Sequence, residues 1–286
     1  MFKTLILKNY IEPKIYEVFN DDAYNFFEKE GYAIVKLDIE TRILKKARTE
    51  IQKIAEFEEN SGDSCFYENR NKEEGNILTS KKKLQRIWNI LNKDKIFHNF
   101  PLCQNHVSAL KRIFSRKTSH TLYSISSFQA NILYPGAEKQ KIHLDTPFPE
   151  PLPIWPIKIN TINLLDDFTQ FNGATMIAPR SHKLKIKPKP GSEDEKCLKK
   201  VIAPFGSFII THGNLWHSSG NNTSEKERIV ILGSYAASYA REIAYEENHL
   251  QIKNEAMQFS NYLKELLGYN IKSKPGSCNF RSFDQN

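Results

Sequence analysis

The strongest constraint on the fold is a change of period near Ser119. Before it, apolar residues recur at helical spacing. After it, as far as Tyr235, they come in short runs cut by Gly, Pro and Asn. A 3.6-residue period makes one stripe along a helix, whereas alternation sends successive side chains to opposite faces of a strand. In the first part, Asn20-Asp21-Asp22 caps a helix that runs to Glu30 and stops at Gly31. Tyr32 to Leu37 reads as a strand. A second helix opens at Thr41, with Ile43, Leu44, Ala47, Ile51, Ile54 and Ala55 on one stripe. Residues 59 to 80 are expected as a long loop. Leu84, Ile87, Trp88 and Leu91 predict a third helix, and Val107, Leu110, Ile113 and Phe114 a fourth.

Beyond the change, strands are predicted over 121–134, 157–165, 174–178 and 229–235, with two short strands about a turn in 201–212. Asn172-Gly173 is a strong turn signal. Lys183 to Lys200 reads as a solvated excursion, and Asn254 to Leu267 as a last amphipathic helix with an irregular tail. The expected class is mainly β with flanking helices (α+β), a jelly-roll or barrel core. With 286 residues, one catalytic domain spanning 1–286 is expected: a mostly helical buttress over 1–120, the β core over 121–240, and a C-terminal helix and tail over 241–286.

The chemistry concentrates in Lys141-Ile142-His143-Leu144-Asp145-Thr146-Pro147. His143 and Asp145 are two apart, so in an extended segment both side chains point the same way. A third ligand is needed to hold a metal ion. His217 is preferred over His212 because a glycine-rich turn and then Arg228 follow it. His182 sits in Pro179-Arg180-Ser181-His182 and is expected to be structural. Two His and one carboxylate on one face form the facial triad of non-haem Fe(II) oxygenases. Arg228 is then the anchor for an acidic co-substrate, and Gln129 and Asn131 share a strand face that would continue the cavity. Five prolines between Pro147 and Pro156 make a stiff extended segment, either a wall of the substrate mouth or a spacer.

Other classes are disfavoured. Cys65, Cys103, Cys197 and Cys278 form no CxxC pair and read as free thiols in a reducing compartment. No apolar run approaches a membrane span. The opening Met1 to Lys8 is too short and too soon charged for a secretory leader, so the expected location is cytoplasmic. The net charge of +8 comes from scattered lysines without a nucleic-acid-binding pattern. It leans towards a small-molecule substrate that is anionic, and towards no nucleic-acid partner.

Several pieces in order resemble the phytanoyl-CoA dioxygenase (PhyH-like) family of Fe(II)- and 2-oxoglutarate-dependent oxygenases. They are Gly31-Tyr32, Arg86 to Leu91, Gln129 to Gly136, His143-Leu144-Asp145, Leu165 to Thr169, Asn172 to Thr175, Pro179 to His182, Trp216-His217 and Arg228. The resemblance implies a double-stranded β-helix with His143, Asp145 and His217 as both catalytic and metal-binding residues. It implies Fe(II), 2-oxoglutarate bound through Arg228 with help from Gln129, Asn131 and Asn160, and O2. Asp145 at the middle position implies a hydroxylase, because related halogenases have a small residue there. Arg180 departs from the family's usual Gly in Pro-Gly-Ser-His, which disturbs a turn. Two other classes remain open: a non-redox cupin-like metal enzyme and a non-catalytic binding protein on the same barrel.

Overall fold

A computed structural model describes residues 13–67, 82–117, 123–237 and 259–267. Its strands are β1 (Ile15–Tyr16), β2 (Tyr32–Lys36), β3 (Cys65–Tyr67), β4 (Leu84–Ile87), β5 (Tyr123–Leu133) and β6 (Lys158–Leu164). They continue with β7 (Thr175–Ile177), β8 (Lys199–Lys200), β9 (Ser207–His212), β10 (His217–Ser219) and β11 (Arg228–Ala237). Eight of them form one sheet in the order β1-β2-β9-β6-β11-β5-β4-β3, and three form a second, β10-β7-β8. Residues from both sheets line one cavity. The fold is the mainly β, helix-buttressed double-stranded β-helix.

Alternation on the long strands divides the inside of this fold from the back. On β5, Phe128, Ala130 and Ile132 are buried against the helices, and Gln129 and Asn131 line the cavity. On β11, Ile229, Ile231 and Tyr235 join the same core, while Arg228, Val230, Leu232 and Ser234 face the cavity. Phe128 is 0% exposed, and burying a side chain of that size contributes roughly 2–3 kcal/mol. The helices supply the other side of this core. Asp21–Glu30 is capped by the Asn20 side chain, which accepts from the Ala23 N–H at 3.0 Å, and ends at Gly31 with φ 88°. Thr41–Ser61 buries Leu44, Ala47, Ile51 and Ala55, as its period predicts. Gln104–Lys117 carries the stripe containing Leu110, Ile113 and Phe114. No helix among the described residues is long and apolar enough to cross a membrane.

Four expectations need correction. Residues 84–91 are not a helix. Leu84–Ile87 is a strand on the edge of β5, with Arg86 opposite Asn131 and Ile87 opposite Ala130. The helix starts only at Ile90, with a single turn to Lys93 after Asn89 at φ 52°. Positions 84, 87, 88 and 91 fit a helical stripe, but the unpaired edge of β5 offers backbone partners that local periodicity does not reveal. Gln85 fixes the strand from behind, its Nε2 donating to Ala55 O and Ser64 Oγ, both at 3.0 Å. Next, the loop expected over 59–80 starts late, because the preceding helix runs to Ser61 and β3 follows; residues 68–81 lie outside the described set. Finally, the last helix is Asn261–Leu266, capped by Ser260; residues 254–258 are also outside the described set. Likewise Lys183–Lys200 is not wholly an excursion, since β8 pairs with β7.

Arg180 has φ 69°, in the left-handed region that favours glycine. Its guanidinium explains why a side chain is kept there. Nε and Nη2 donate to the Glu30 carboxylate at 2.8–3.0 Å, and Glu30 is only 1% exposed. Arg180→Gly relieves backbone strain of about 1 kcal/mol but leaves a buried carboxylate without its fork, which costs about 3–5 kcal/mol. The variant is therefore expected to lose roughly 2 kcal/mol or more of unfolding free energy in urea titration. An unchanged midpoint and slope would refute this account of the turn.

Candidate metal centre and its cavity

His143 lies in an irregular segment that meets β10 through a single bridge. The His143 N–H donates to His217 O, and the His217 N–H to His143 O, both at 2.9 Å. That reciprocal pair brings together two imidazoles 74 residues apart in the chain, with ring centroids 4.2 Å apart. Asp145 is placed by the next contact, its N–H donating to Gly213 O at 3.0 Å. Gly213 is required by crowding. A Cβ there would meet Thr146 Oγ1 at 2.6 Å and Lys158 O at 2.7 Å. Without it, the Asp145 segment and β6 could not approach each other this closely.

One candidate ligand atom from each of His143, Asp145 and His217 lies within 4.8 Å of the other two. His217 Nε2 is 3.4 Å from Asp145 Oδ2, and His143 Nε2 is 3.9 Å from Asp145 Oδ1. The tautomers follow from the backbone. His143 Nδ1 faces Lys141 O at 2.9 Å and His217 Nδ1 faces Leu215 O at 3.0 Å. A carbonyl only accepts, so each Nδ1 donates outward and each Nε2 is the ring nitrogen turned to the centre. Such outer hydrogen bonds are how metal-binding imidazoles are oriented. Burial by itself would raise the Asp145 carboxyl. His217, then His143, and the charges of Lys158 and Arg86 hold it below the ordinary carboxylate value.

Asn160 lines the same cavity as Gln129 and Asn131. Its Nδ2 donates to Asp145 Oδ2 at 2.6 Å, so it steers a carboxylate oxygen at the centre. Gln129 and Asn131 line the cavity, and their Oε1 and Oδ1 atoms are buried without a hydrogen-bond partner. Buried polar atoms in that state can accept hydrogen bonds from water or from a bound group. His212 and His182 are elsewhere. His212 stacks against Phe27, and the two imidazole centroids are 5.2 Å apart, behind the sheet. The proline segment adds no residue to the cavity wall. It is tied instead to neighbouring loops, by Leu152 N–H to Lys185 O and Asn214 Nδ2 to Pro153 O.

Arg228 is 4% exposed at the start of β11. Its Nη2 donates to Gly173 O at 2.8 Å, and its guanidinium carbon lies 4.8 Å from the Phe168 ring centroid. Among the described residues, no carboxylate stands within 4 Å of it. Burial pushes its pKa down to about 10, opposed by the charge of Asp166, so it remains a cation at neutral pH. The cavity, about 240 Å³, also takes in Arg86, Trp88, Ser127, Lys158, Thr211 and Ser234, none assigned a role from the sequence. Lys158 was within reach: it shares strand parity with Asn160. Arg86 was hidden by the mistaken helix.

The set fits a divalent metal ion, on the evidence of two imidazole Nε2 atoms and one carboxylate facing a common centre. Comparisons with known proteins agree. The family model described as phytanoyl-CoA dioxygenase (PhyH) matches residues 27–230. Dioxygenase af480 of Aspergillus fumigatus is 33% identical over 157 residues, covering 52% of this chain and 50% of that protein. Dioxygenase FUM3 of Gibberella moniliformis is 22% identical over 243 residues, covering 80% of this chain and 75% of that one. The chain thus spans about half the length of the first of these relatives. Among solved structures, SnoN, a non-haem α-ketoglutarate-dependent epimerase from nogalamycin biosynthesis, superposes with a TM-score of 0.56 at 14% identity. That match covers 76% of this chain and 80% of that one, a likeness of fold.

Proposed function

The chain belongs to the phytanoyl-CoA dioxygenase (PhyH) family, and from that membership we propose that it is an Fe(II)- and 2-oxoglutarate-dependent dioxygenase that hydroxylates a C–H bond of a small molecule. His143, Asp145 and His217 would hold the ferrous ion. With it in place, 2-oxoglutarate, O2 and substrate R–H become succinate, CO2 and R–OH, the metal supplying the oxidising chemistry.

The observation that carries this reading is a buried cation, Arg228, in the same cavity as the His-Asp-His set, with no carboxylate of the described residues within 4 Å of it. An arginine in that state is matched by an anion from outside, and its planar fork suits a carboxylate. The far carboxylate of 2-oxoglutarate is the proposed partner. Gln129 and Asn131 would hydrogen-bond the same molecule. Asn160 holds the Asp145 carboxylate in place while it serves as a ligand. We take the matched region as one catalytic domain, since β2 and β4 from the N-terminal third are paired into the sheet that carries Arg228 and Asn160.

The test is product analysis of purified, iron-loaded protein under air. Succinate and CO2 should form in equal amounts, with one atom of labelled O2 in the succinate. A protein that ignores 2-oxoglutarate yet turns over a substrate with Zn(II) would be a non-redox metal enzyme instead.

A further inference from the structure

Pairing across the large sheet sorts the cavity residues into rows. Arg228 stands opposite Leu133, and Arg86 and Val230 flank Asn131. Gln129, Leu232 and Ile162 form the next row. Then come Ser127, Ser234, Asn160 and Thr211, opposite one another on four adjacent strands. Two residues further along β6, beyond this row, stands Lys158. The cavity therefore has two polar ends, and the row between them is Leu232 and Ile162 with Gln129 at its side.

The first end is matched to the far carboxylate of the dicarboxylate proposed above, which would face Arg228. Asn160 ties Asp145, and so the metal set, to the row at the second end. That end holds three hydroxyls and a lysine. Ser234 is 8% exposed, and its Oγ is buried in the cavity wall with no hydrogen-bond partner. A hydroxyl left so calls for a polar ligand atom rather than hydrocarbon. Charge points the same way. Of the described residues lining the cavity, Lys158 and Arg228 are cations with no carboxylate within 4 Å and Asp145 is the one carboxylate, which leaves one positive charge in excess. A divalent metal and dianionic 2-oxoglutarate cancel each other, so the excess persists when both are bound. Asp145 is within the electrostatic reach of Lys158, so a metal ion there would place Lys158 beside a second cation.

We propose that the end of the cavity formed by Ser127, Thr211, Ser234 and Lys158 is a subsite for a small hydroxylated substrate bearing an anionic oxygen group, which pairs with the Lys158 ammonium. The proposal deepens the oxygenase reading and rests on it for the position of the reacting C–H bond. The neighbouring hydroxyls bond the polar body of the substrate and hold it beside the centre. Leu232 and Ile162 separate it from the co-substrate end.

Calorimetric titration of Zn(II)-loaded protein, a redox-silent stand-in, tests this with two matched pairs: gluconate against glucose, and glycerol 3-phosphate against glycerol. At least one anion should bind and its neutral counterpart should not; which anion binds distinguishes a carboxylate from a phosphate ester. Lys158→Gln should weaken the anion by about tenfold or more, Lys158→Arg should retain it, and 2-oxoglutarate affinity should change by less than about threefold in both. Failure of both anions to bind, equal binding of the neutral partners, or indifference to Lys158→Gln overturns the subsite. So does a loss of 2-oxoglutarate binding in Lys158→Gln, which would move Lys158 to the co-substrate. Wild-type protein that takes the anion through Lys158 but never binds 2-oxoglutarate would instead remove the oxygenase reading and leave the subsite standing.

Discussion

Alanine at His143, Asp145 or His217 is expected to lower the affinity for Fe(II) by roughly 100-fold each, and alanine at His182 or His212 to leave it unchanged. The magnitude follows from four-ligand zinc sites, whose binding free energy of about 10–16 kcal/mol gives about 3 kcal/mol per ligand, or two powers of ten. The contrast between the two groups of histidines follows from geometry. His143 and His217 send their Nε2 atoms towards Asp145, whereas His182 and His212 face each other behind the sheet, His212 stacked on Phe27. Anaerobic competition with a chromogenic chelator measures each constant, with circular dichroism checking that the fold persists. Wild-type affinity in any of the three ligand variants would remove that residue from the centre.

The second large effect concerns the co-substrate. Arg228→Ala should weaken 2-oxoglutarate by about 2 kcal/mol or more, roughly 30-fold, because truncation leaves a carboxylate buried without its partner. Arg228→Lys should fall between the two, since it keeps the charge but loses the fork. The site is prepared for an anion. The arginine is fixed by the Gly173 carbonyl and the Phe168 ring, contacts that hold the guanidinium without neutralising it. Calorimetric titration of 2-oxoglutarate into Zn(II)-loaded protein reads this effect, and an unchanged dissociation constant would exclude Arg228 from the role.

Much of this was legible in the residues, for a physical reason. His143 and Asp145 are two apart on extended backbone, so proximity in sequence is proximity in space. The preference for His217 over His212 also holds up geometrically: the odd spacing from 212 to 217 spans a turn, and only His217 comes opposite His143. The β5 alternation separated Gln129 and Asn131 from Phe128 and Ala130 correctly, because one face is packed by helices and the other is hollow. What stayed hidden depends on pairing over long distances. Leu84–Ile87 is a strand only because β5 has an edge to fill. Asn160 also bonds Asp145, since Gly213 lets the two segments close up. The Arg180 departure from the usual turn glycine makes sense only once Glu30, 150 residues earlier, is seen beneath it.

The central claim is that three protein side chains hold a ferrous ion that 2-oxoglutarate then chelates beside Arg228. Its most direct measurement is an anaerobic titration of Fe(II) into apo-protein saturated with 2-oxoglutarate, followed by the visible charge-transfer band of a ferrous ion chelated by a 2-oxo acid. The account predicts that the band saturates at one equivalent of iron and fails to form when His143, Asp145 or His217 is replaced by alanine. No band in the wild-type protein, or an undiminished band in those variants, would contradict it.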